Sequence, residues 1–408
     1  MNKELLREID KCAKCGTCRS VCPVFAETND ELMVARGRVT LAEALLKGDL
    51  DYSKKYLRSL KSCMRCLRCV ESCPSGVDVG EIVRAMRALA AGQLGLSPVT
   101  RFVFRRVLPN KRLYDRAIRF AALGQKVLPR ERTGTLRHLP LFFRGERNIP
   151  PRARRSFLER AREYKPLEGA ERRVGFFVGC LINYVYPEVG EAVVRLLNRY
   201  GVDVVVPQDQ ACCGAPVIGM GDAVAARTLA EKNVRVFRDA QVDTVLFACA
   251  TGGKTVKKDY PKIVGLDTSA FSSSAMDVME FVARYVPIPS VASSTTVTYH
   301  DPCHLRWGQG IYHEPREMLQ RVVQYEEMPN ADRCCGMGGT FSLFFHDLSR
   351  RITNRKSDAI AATTADIVAT GCPGCMLQLD EAIKERGMNK SVKHIVQVLE
   401  EATRNQRV

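Results

Sequence analysis

The sequence predicts an α/β protein in which a helical, cysteine-rich head is followed by two α/β domains with parallel sheets. Cysteine accounts for 17 of the 408 residues, far more than ordinary packing requires. Eight of these cysteines fall within the first 95 residues, in two similar runs. In the second half, short β-rich runs alternate with helical patterns in two successive copies, which is typical of parallel sheets flanked by helices.

The head, residues 1–95, contains the run C-x2-C-x2-C-x3-C-P twice. In this pattern three closely spaced thiolates hold three irons of one cubane, and the fourth cysteine reaches the other cubane. We therefore predict two cubane [4Fe-4S] clusters, held by what we call the first and second head sets. The first head set is Cys12, Cys15, Cys18 and Cys73, and the second head set is Cys63, Cys66, Cys69 and Cys22.

Apolar residues recur at helical spacing after each run, at 35–50 and at 80–95, so we expect an α-helical, ferredoxin-like N-terminal domain. Zinc held by four cysteines is an alternative, but zinc ribbons need two separated C-x2-C pairs rather than two runs closed by proline. Disulfides are the other alternative. The odd number of cysteines argues against them, as does the absence of an apolar leader, which predicts a reducing cytoplasmic location.

A basic connector, residues 96–168, follows the head, and we expect it to be helical. Residues 101–165 hold 19 lysines and arginines against 5 acidic residues, with apolar groups among them at 102–108 and 141–143. Such a mixture can face solvent, contact an acidic partner or lie on the inner face of an anionic membrane. No nucleic-acid-reading module accompanies the charge, so no nucleic-acid partner is expected.

An internal repeat divides the rest of the chain into a first domain, residues 169–290, and a second domain, residues 291–408. The β-rich runs of the first domain lead to Cys180, Cys212, Cys213 and Cys249. Those of the second domain lead to Cys303, Cys334, Cys335, Cys372 and Cys375. Equivalent cysteines lie 122 or 123 positions apart. Loops at the ends of parallel strands are available for binding sites, and the cysteines fall in such loops.

The five cysteines of the second domain are too many for an ordinary site. Zinc or a single cubane takes four thiolates, and two adjacent cysteines do not easily occupy separate corners of a tetrahedral zinc site. A larger or non-standard cluster fits better. Three glycines follow the adjacent pair, at Gly336, Gly338 and Gly339. They either form a plain turn or bring backbone N–H groups to the sulfurs of a cluster.

The arrangement Cys303, Cys334-Cys335-Gly336 and Cys372-Pro373-Gly374-Cys375 resembles the cysteine-rich CCG domain of heterodisulfide reductase catalytic subunits. With its head, connector and paired domains, the chain most resembles glycolate oxidase iron-sulfur subunits. Iron-sulfur subunits of D-lactate and glycerol-3-phosphate dehydrogenases are similar. The resemblance implies duplicated α/β CCG domains and a non-cubane [4Fe-4S] cluster on the five cysteines of the second domain.

The first domain departs from this pattern, because Gly252 stands where the last cysteine is expected. Its four cysteines could still hold a further cluster or zinc, or remain buried and free. Two histidines, His300 and His304, bracket Cys303. They either donate hydrogen bonds to a cluster or substrate, or simply pack in a loop. Trp307 is expected to be buried against the same loop.

No glycine-rich dinucleotide fingerprint and no phosphate-binding loop is evident, so we expect flavin chemistry on another chain. The resemblance implies an FAD-containing partner that oxidises glycolate or D-lactate. Electrons then pass through this chain to quinone, to an electron-transferring protein or to another acceptor. The alternatives are a heterodisulfide-reductase-like subunit that reduces a disulfide at the CCG cluster, and a zinc-filled structural adaptor. No catalytic residue is assigned.

Overall fold

The computed structural model describes residues 2–125 and 152–406. The apolar residues 141–143 of the connector therefore lie outside the described residues. Within the described part of the chain, no helix combines the length and the apolar character needed to cross a membrane. The domain boundaries at 95, 168 and 290 stay predictions, although one helix ends at Leu94 and one strand begins at Arg172, close to two of them.

The head is helical, as predicted, with a 3-10 turn at Glu31–Met33. Its helices are α1 (Asn2–Asp10), α2 (Thr17–Val21), α3 (Phe25–Thr28), α4 (Ala35–Lys47), α5 (Lys54–Lys61), α6 (Arg68–Glu71) and α7 (Val79–Leu94). Asp78 begins α7 by accepting a hydrogen bond from Glu81 N–H at 2.9 Å, which satisfies one of the free donors of a helix start. The apolar faces of α4, α5 and α7 meet in one core, because their buried residues recur at helical spacing.

The described part of the connector packs on the first domain. It consists of α8 (Pro98–Phe102), a π-helical turn (Val103–Val107), α9 (Lys111–Gln125) and α10 (Phe157–Ala161). Val103, Phe104 and Leu108 belong to an apolar cluster with residues of the first domain. Arg105 donates to Asp222 of that domain at 3.0 Å. These apolar residues are therefore occupied within the chain, whereas Phe102 stays 57% exposed.

The first domain contains a four-stranded parallel sheet of order β2-β1-β3-β4. Its strands are β1 (Arg172–Phe177), β2 (Val202–Val205), β3 (Val245–Phe247) and β4 (Ala275–Asp277). Its helices are α11 (Gly179–Tyr184), α12 (Pro187–Arg199), α13 (Ala215–Met220), α14 (Ala223–Asp239), α15 (Ala250–Lys254), α16 (Ser269–Ser274) and α17 (Val278–Tyr285). A π-helical turn (Thr255–Asp259) and a 3-10 turn (Tyr260–Lys262) extend α15.

The second domain repeats this topology in the order β6-β5-β7-β8, again with all pairs parallel. Its strands are β5 (Thr296–His300), β6 (Gln324–Glu326), β7 (Ile367–Thr370) and β8 (Ser391–His394). Its helices are α18 (Cys303–Gln309), α19 (His313–Val322), α20 (Phe341–Phe344), α21 (His346–Ala361), α22 (Pro373–Glu385) and α23 (Ile395–Ala402). The predicted α/β class with a duplicated parallel sheet is confirmed.

The two domains share one continuous core. Helices α12 and α23 pack together, and their buried faces belong to a single apolar cluster. At the ends of β3 and β7 the two domains touch, where Ala250 N–H donates to Gly371 C=O at 3.3 Å. Because both residues lie just beyond the central strand of their own sheet, the cysteine-bearing loops that follow these strands face each other.

Candidate cluster sites

The two head sets line separate cavities. One cavity is bordered by Cys12, Cys15, Cys18 and Cys73. The other is bordered by Cys22, Cys63, Cys66 and Cys69, and Cys69 also reaches the edge of the first. The structure thus places the fourth cysteine of each run beside the three cysteines of the other run. Ligation by these sets stays a prediction.

Two left-handed backbone turns shape each cysteine run of the head. The first run has them at Lys14 (φ 56°) and Gly16 (φ 86°), and the second at Arg65 (φ 52°) and Leu67 (φ 68°). The left-handed conformation costs a residue with a side chain about 1–2 kcal/mol of conformational free energy, so a compensating interaction is expected. They direct backbone N–H groups at sulfur, as Arg65 N–H does towards Cys63 Sγ at 3.4 Å. Such bonds favour a thiolate over a thiol.

Two buried arginines support the second head set. Arg38 donates to Ser59 C=O at 3.0 Å, and Arg87 donates to Leu60 C=O and Cys63 C=O, each at 2.6 Å. Burial works against ionisation of Cys63, but the charges of Arg38 and Arg87 outweigh it and lower the pKa of this thiol. Both arginines were missed from the sequence, because each lies on the buried face of an otherwise ordinary amphipathic helix.

The five cysteines of the second domain come together, linked by successive thiol contacts. Cys303 contacts Cys334, which contacts its neighbour Cys335. The Sγ atoms of Cys335 and Cys375 are 3.5 Å apart, and Cys375 contacts Cys372. Hydrogen-bond contacts with Cys334 and Cys375 lower the pKa of the Cys335 thiol. The structure therefore gathers all five residues of this predicted site.

Gly336 is required by close packing next to this site. Its φ is +96°, and a Cβ atom there would lie 2.2 Å from Thr353 Oγ1 on α21. Gly336 N–H also points to Cys334 Sγ at 3.4 Å. The glycine therefore lets the loop approach α21 and turns a backbone donor to sulfur, which joins the two roles considered from the sequence.

The cysteines of the first domain do not all converge. Cys180 contacts Cys212, and Cys212 contacts Cys213. Residues of the connector, Leu108 and Lys111 among them, line the same cavity as Cys180 and Cys212. The connector therefore covers the cysteine end of the first domain.

The fourth cysteine of the first domain, Cys249, turns to the second domain. Its thiol is in hydrogen-bond contact with Cys372, and it packs in the apolar cluster that contains Cys335, Cys372 and Cys375. Thr251, two residues further along the chain, places its Oγ1 3.8 Å from Cys372 Sγ. Two side chains of the first domain, Cys249 and Thr251, thus lie at the second site. Sequence spacing could not predict this, because it depends on how the two domains face each other.

The head lies directly on the second site. Cys22 and Cys66 of the head line a common cavity with Cys303 and Cys334 of the second domain. Burial and the neighbouring Cys303 raise the pKa of Cys66. Met64, between two head cysteines, brings its Sδ to 4.0 Å from Cys334 Sγ. The second head set and the second site are therefore neighbours.

Buried polar groups fix this junction between the head and the two domains. Arg65 of the head pairs with Asp259 at 2.7 Å, and Lys254 pairs with the same carboxylate at 2.9 Å. Burial alone would raise the pKa of Asp259, but the charges of Arg65 and Lys254 lower it to about 2. His304 Nε2 donates to Arg65 C=O at 2.9 Å. Trp307, half-buried, lines the cavity beside Cys303 rather than the core.

The donor set of the second site fits an iron-sulfur group. As thiolates, side chains packed this closely would repel one another, and burial removes the water that would screen them, so they are stable as neutral thiols or as ligands of bound cations. One ring nitrogen of His300 and the sulfurs of Cys335 and Cys375 all lie within 4.8 Å of one another. Cysteine sulfur and imidazole nitrogen are both known ligands of iron in iron-sulfur clusters.

Known families match the same segments. The 4Fe-4S dicluster domain family matches residues 8–77, and the cysteine-rich CCG domain family matches residues 174–256 and 297–380. A probable glycolate oxidase iron-sulfur subunit of Bacillus subtilis is 29% identical over 97% of this chain and 94% of its own length. Lactate utilization protein A of Geobacillus kaustophilus is 32% identical over 56% of this chain and 98% of its own length.

Two further proteins are similar to this chain. A fumarate reductase (CoM/CoB) protein of Methanothermobacter marburgensis is 36% identical over 56% of this chain. The match spans 46% of that protein, so about half of it has no counterpart here. The crystal structure of a hypothetical protein from Helicobacter pylori shares the fold, with a TM-score of 0.55 at 9% identity over 98% of this chain and 72% of that one.

The matched domains, their order and the relatives agree with the cysteine arrangement in the structure. The chain therefore belongs to the family of glycolate oxidase iron-sulfur subunit-like proteins, in which a 4Fe-4S dicluster domain precedes two cysteine-rich CCG domains.

Proposed function

We propose that the chain is the electron-transferring subunit of a flavin-dependent 2-hydroxyacid dehydrogenase complex that acts on glycolate or D-lactate. An FAD-containing partner subunit oxidises the hydroxy acid, and this chain carries the electrons to quinone or another acceptor. Its bound clusters supply one-electron redox centres. The relatives named for glycolate oxidase and lactate utilization support this proposal.

The observation that carries the proposal is the contact between the head and the second domain. Cys66 of the second head set neighbours Cys303 of the second site, and Met64 reaches Cys334. We therefore infer that electrons enter at the head and leave through the second domain. The buried Arg65–Asp259 pair holds the two parts in this position, because breaking a buried ion pair leaves an unpaired charge away from water.

The charges around the second head set suit an electron carrier. Each reduction adds a negative charge to a buried site, and Arg38, Arg65 and Arg87 stand nearby as fixed cations. Positive charge in a dry environment lowers the cost of that added electron. These arginines therefore tune the second head set towards reduction, relative to a site without them.

The exposed part of the connector is the proposed contact with the partner or with the inner face of the membrane. Phe120 is 73% exposed on α9, and Arg112, Arg116 and Arg119 lie on the same helix. Apolar rings among cations bind anionic surfaces. Replacing Phe120 and Arg116 together with alanine should weaken binding to vesicles of anionic lipid. Unchanged binding to the vesicles would indicate that this surface of the connector contacts the partner subunit and not the membrane.

The test is anaerobic isolation of the native complex, with iron, sulfide and flavin counted on the same sample. We expect a flavoprotein to co-purify and glycolate or D-lactate to bleach the cluster absorbance of the complex. The chain separated from its partner should not be reduced by either acid. Reduction of the separated chain by a hydroxy acid, or zinc in place of iron, would contradict the proposal.

A heterodisulfide-reductase-like activity is the second candidate. It is favoured by the similarity to a fumarate reductase (CoM/CoB) protein and by the cavity that Cys303 and Cys334 share with the head. This cavity is bordered by Arg68, Arg333 and Arg355, which suits an anionic substrate. Turnover of a carboxylated disulfide by the reduced chain would support this candidate over the first.

A further inference from the structure

Two histidines beside the second site differ in their hydrogen bonds. His304 uses both ring nitrogens, because Nε2 donates to Arg65 C=O at 2.9 Å and Nδ1 accepts from Thr251 Oγ1 at 3.0 Å. His300 is only 1% exposed. Within the described residues neither of its ring nitrogens makes a well-directed hydrogen bond, although one of them approaches the backbone of Ala331. A buried polar group left unpaired costs about 1–3 kcal/mol, so this side chain calls for a bound group.

One ring nitrogen of His300 lies close to two cysteine sulfurs. Its nearer ring nitrogen and the Sγ atoms of Cys335 and Cys375 lie within 4.8 Å of one another. Cys335 and Cys375 are themselves 3.5 Å apart. Three donors at such distances surround a space that an iron atom can occupy, and nitrogen and sulfur are both iron ligands.

In the first domain, Phe177 occupies the position equivalent to His300. In the sheets, Phe177 pairs with Phe247 in register, and His300 pairs with Thr370 in the same way. Phe177 stacks on Phe247 at 4.9 Å between ring centroids. An apolar ring therefore fills this position where the cysteine set is incomplete, and an imidazole fills it where five cysteines meet.

We propose that His300 binds iron through one ring nitrogen, as a sixth protein ligand of the second-domain cluster. The inference rests on the proposed presence of a cluster in that domain. Imidazole is neutral, so it adds a ligand to iron without adding negative charge to a site that already gathers five cysteines. His300 thus sets how readily the second domain accepts an electron.

The experiment uses the full-length chain with all histidines labelled with nitrogen-15, reduced anaerobically and studied by pulsed EPR. Cys335→Ala first identifies the signal that belongs to the second domain. We expect a nitrogen-15 coupling on that signal in the wild type, its loss in His300→Gln and its retention in His304→Gln. His304 is the control because it is half-buried beside Cys303 and has both ring nitrogens in hydrogen bonds. The midpoint potential of that signal should also change more in His300→Gln than in His304→Gln.

The possible outcomes distinguish iron binding by His300 from the presence of the second-domain cluster. Absence of any nitrogen-15 coupling in the wild type overturns the role of His300, whether or not the variants fold. Coupling that survives in His300→Gln overturns it as well. If Cys335→Ala removes no iron signal at all, the second-domain cluster itself is overturned, and with it the proposed exit route for electrons. The head clusters remain in every variant and report that the chain is folded.

Discussion

The first and second domains share one topology but differ at the carboxyl ends of their central strands. In the first domain, Phe177 and Phe247 stack there, and Gly252 follows. In the second, His300 and Thr370 take the equivalent positions, and Cys375 replaces the glycine. The connector covers the first of these ends and the head covers the second. The duplicated domains therefore differ in that five cysteines converge in the second, whereas in the first the cysteines are divided and two phenyl rings stack at the strand ends.

The largest expected effect comes from making the second domain resemble the first. Cys375→Gly should remove the iron of the second domain, because the contacts of this thiol with Cys335 and Cys372 are both lost. Iron and sulfide per chain should fall to the content of the head. Cys180→Ser is the control and should leave that content unchanged. Equal losses in the two variants would contradict the difference between the domains.

The reciprocal change asks whether the first domain can regain a site. A Cβ atom on Gly252 would lie 3.5 Å from Phe247 Cδ1 and 3.8 Å from Cys249 Sγ, which are ordinary contacts. Gly252→Cys should therefore fold, yet it should bind little extra iron, because the phenyl rings stay in place and Cys249 faces Cys372. A full additional cluster in this variant would show that the missing cysteine alone separates the two domains.

The next effect concerns how the head is held. Asp259→Asn should lower the free energy of unfolding by about 3–5 kcal/mol, because it leaves Arg65 and Lys254 buried without their carboxylate. Asp332→Asn is the matched control, since it removes the partly exposed pair with Arg68 at 2.9 Å. That change should cost about 1 kcal/mol or less. Urea unfolding followed by fluorescence and by cluster absorbance measures both, and equal costs would contradict the buried pair as the anchor.

Much of this contrast could be predicted from the sequence, and the rest depended on tertiary packing. The cysteine spacing predicted the order of the domains, and the alternation of β-rich and helical runs predicted both parallel sheets. The structure places each head set around its own cavity. The turn of Cys249 to Cys372 was not foreseen, because spacing within one domain carries no information on the facing domain. Arg38 and Arg87 were missed because a buried arginine does not disturb the helical period of the residues around it. The repeat pairs His300 with Phe177 in the sequence, but the stacking of Phe177 on Phe247 is visible only in the structure.

The helices that follow the last strand of each sheet begin at different titratable residues, so the two helix starts respond differently to pH. Asp277 begins α17 by accepting from Met279 N–H at 2.9 Å, and His394 begins α23 in the same place. Burial raises the pKa of Asp277 to about 7, although the Met279 N–H and the charge of Lys257 act in the opposite direction. The folded chain therefore holds a proton that the unfolded chain releases between about pH 4 and 7.

The contribution of Asp277 is thus present below its unfolded pKa and is lost as the pH rises through 7. We expect the wild type to lose up to about 3–4 kcal/mol of unfolding free energy between pH 4 and pH 8 from this group. Asp277→Asn keeps the helix cap and cannot ionise, so its stability should vary less over this range. Parallel urea titrations at pH 5 and pH 8 provide the measurement. An identical pH dependence of the wild type and Asp277→Asn would mean that the Asp277 carboxyl group is hydrated and not buried.

The smallest expected difference compares the glycines that follow each cysteine pair. Both Gly214 and Gly336 have positive φ, so alanine at either position costs about 1–2 kcal/mol of backbone strain. At Gly214 a Cβ atom meets only Leu229, at 3.7 Å, whereas at Gly336 it lies 2.2 Å from Thr353 Oγ1. Gly336→Ala should therefore cost about 1–3 kcal/mol more than Gly214→Ala, the usual cost of overpacking. Because α21 then has to shift away from Cys335, we also expect a change in the EPR signal of the second domain in Gly336→Ala alone. Equal stability losses and unchanged spectra would mean that the loop and α21 move apart freely, and that the second site does not depend on their close approach.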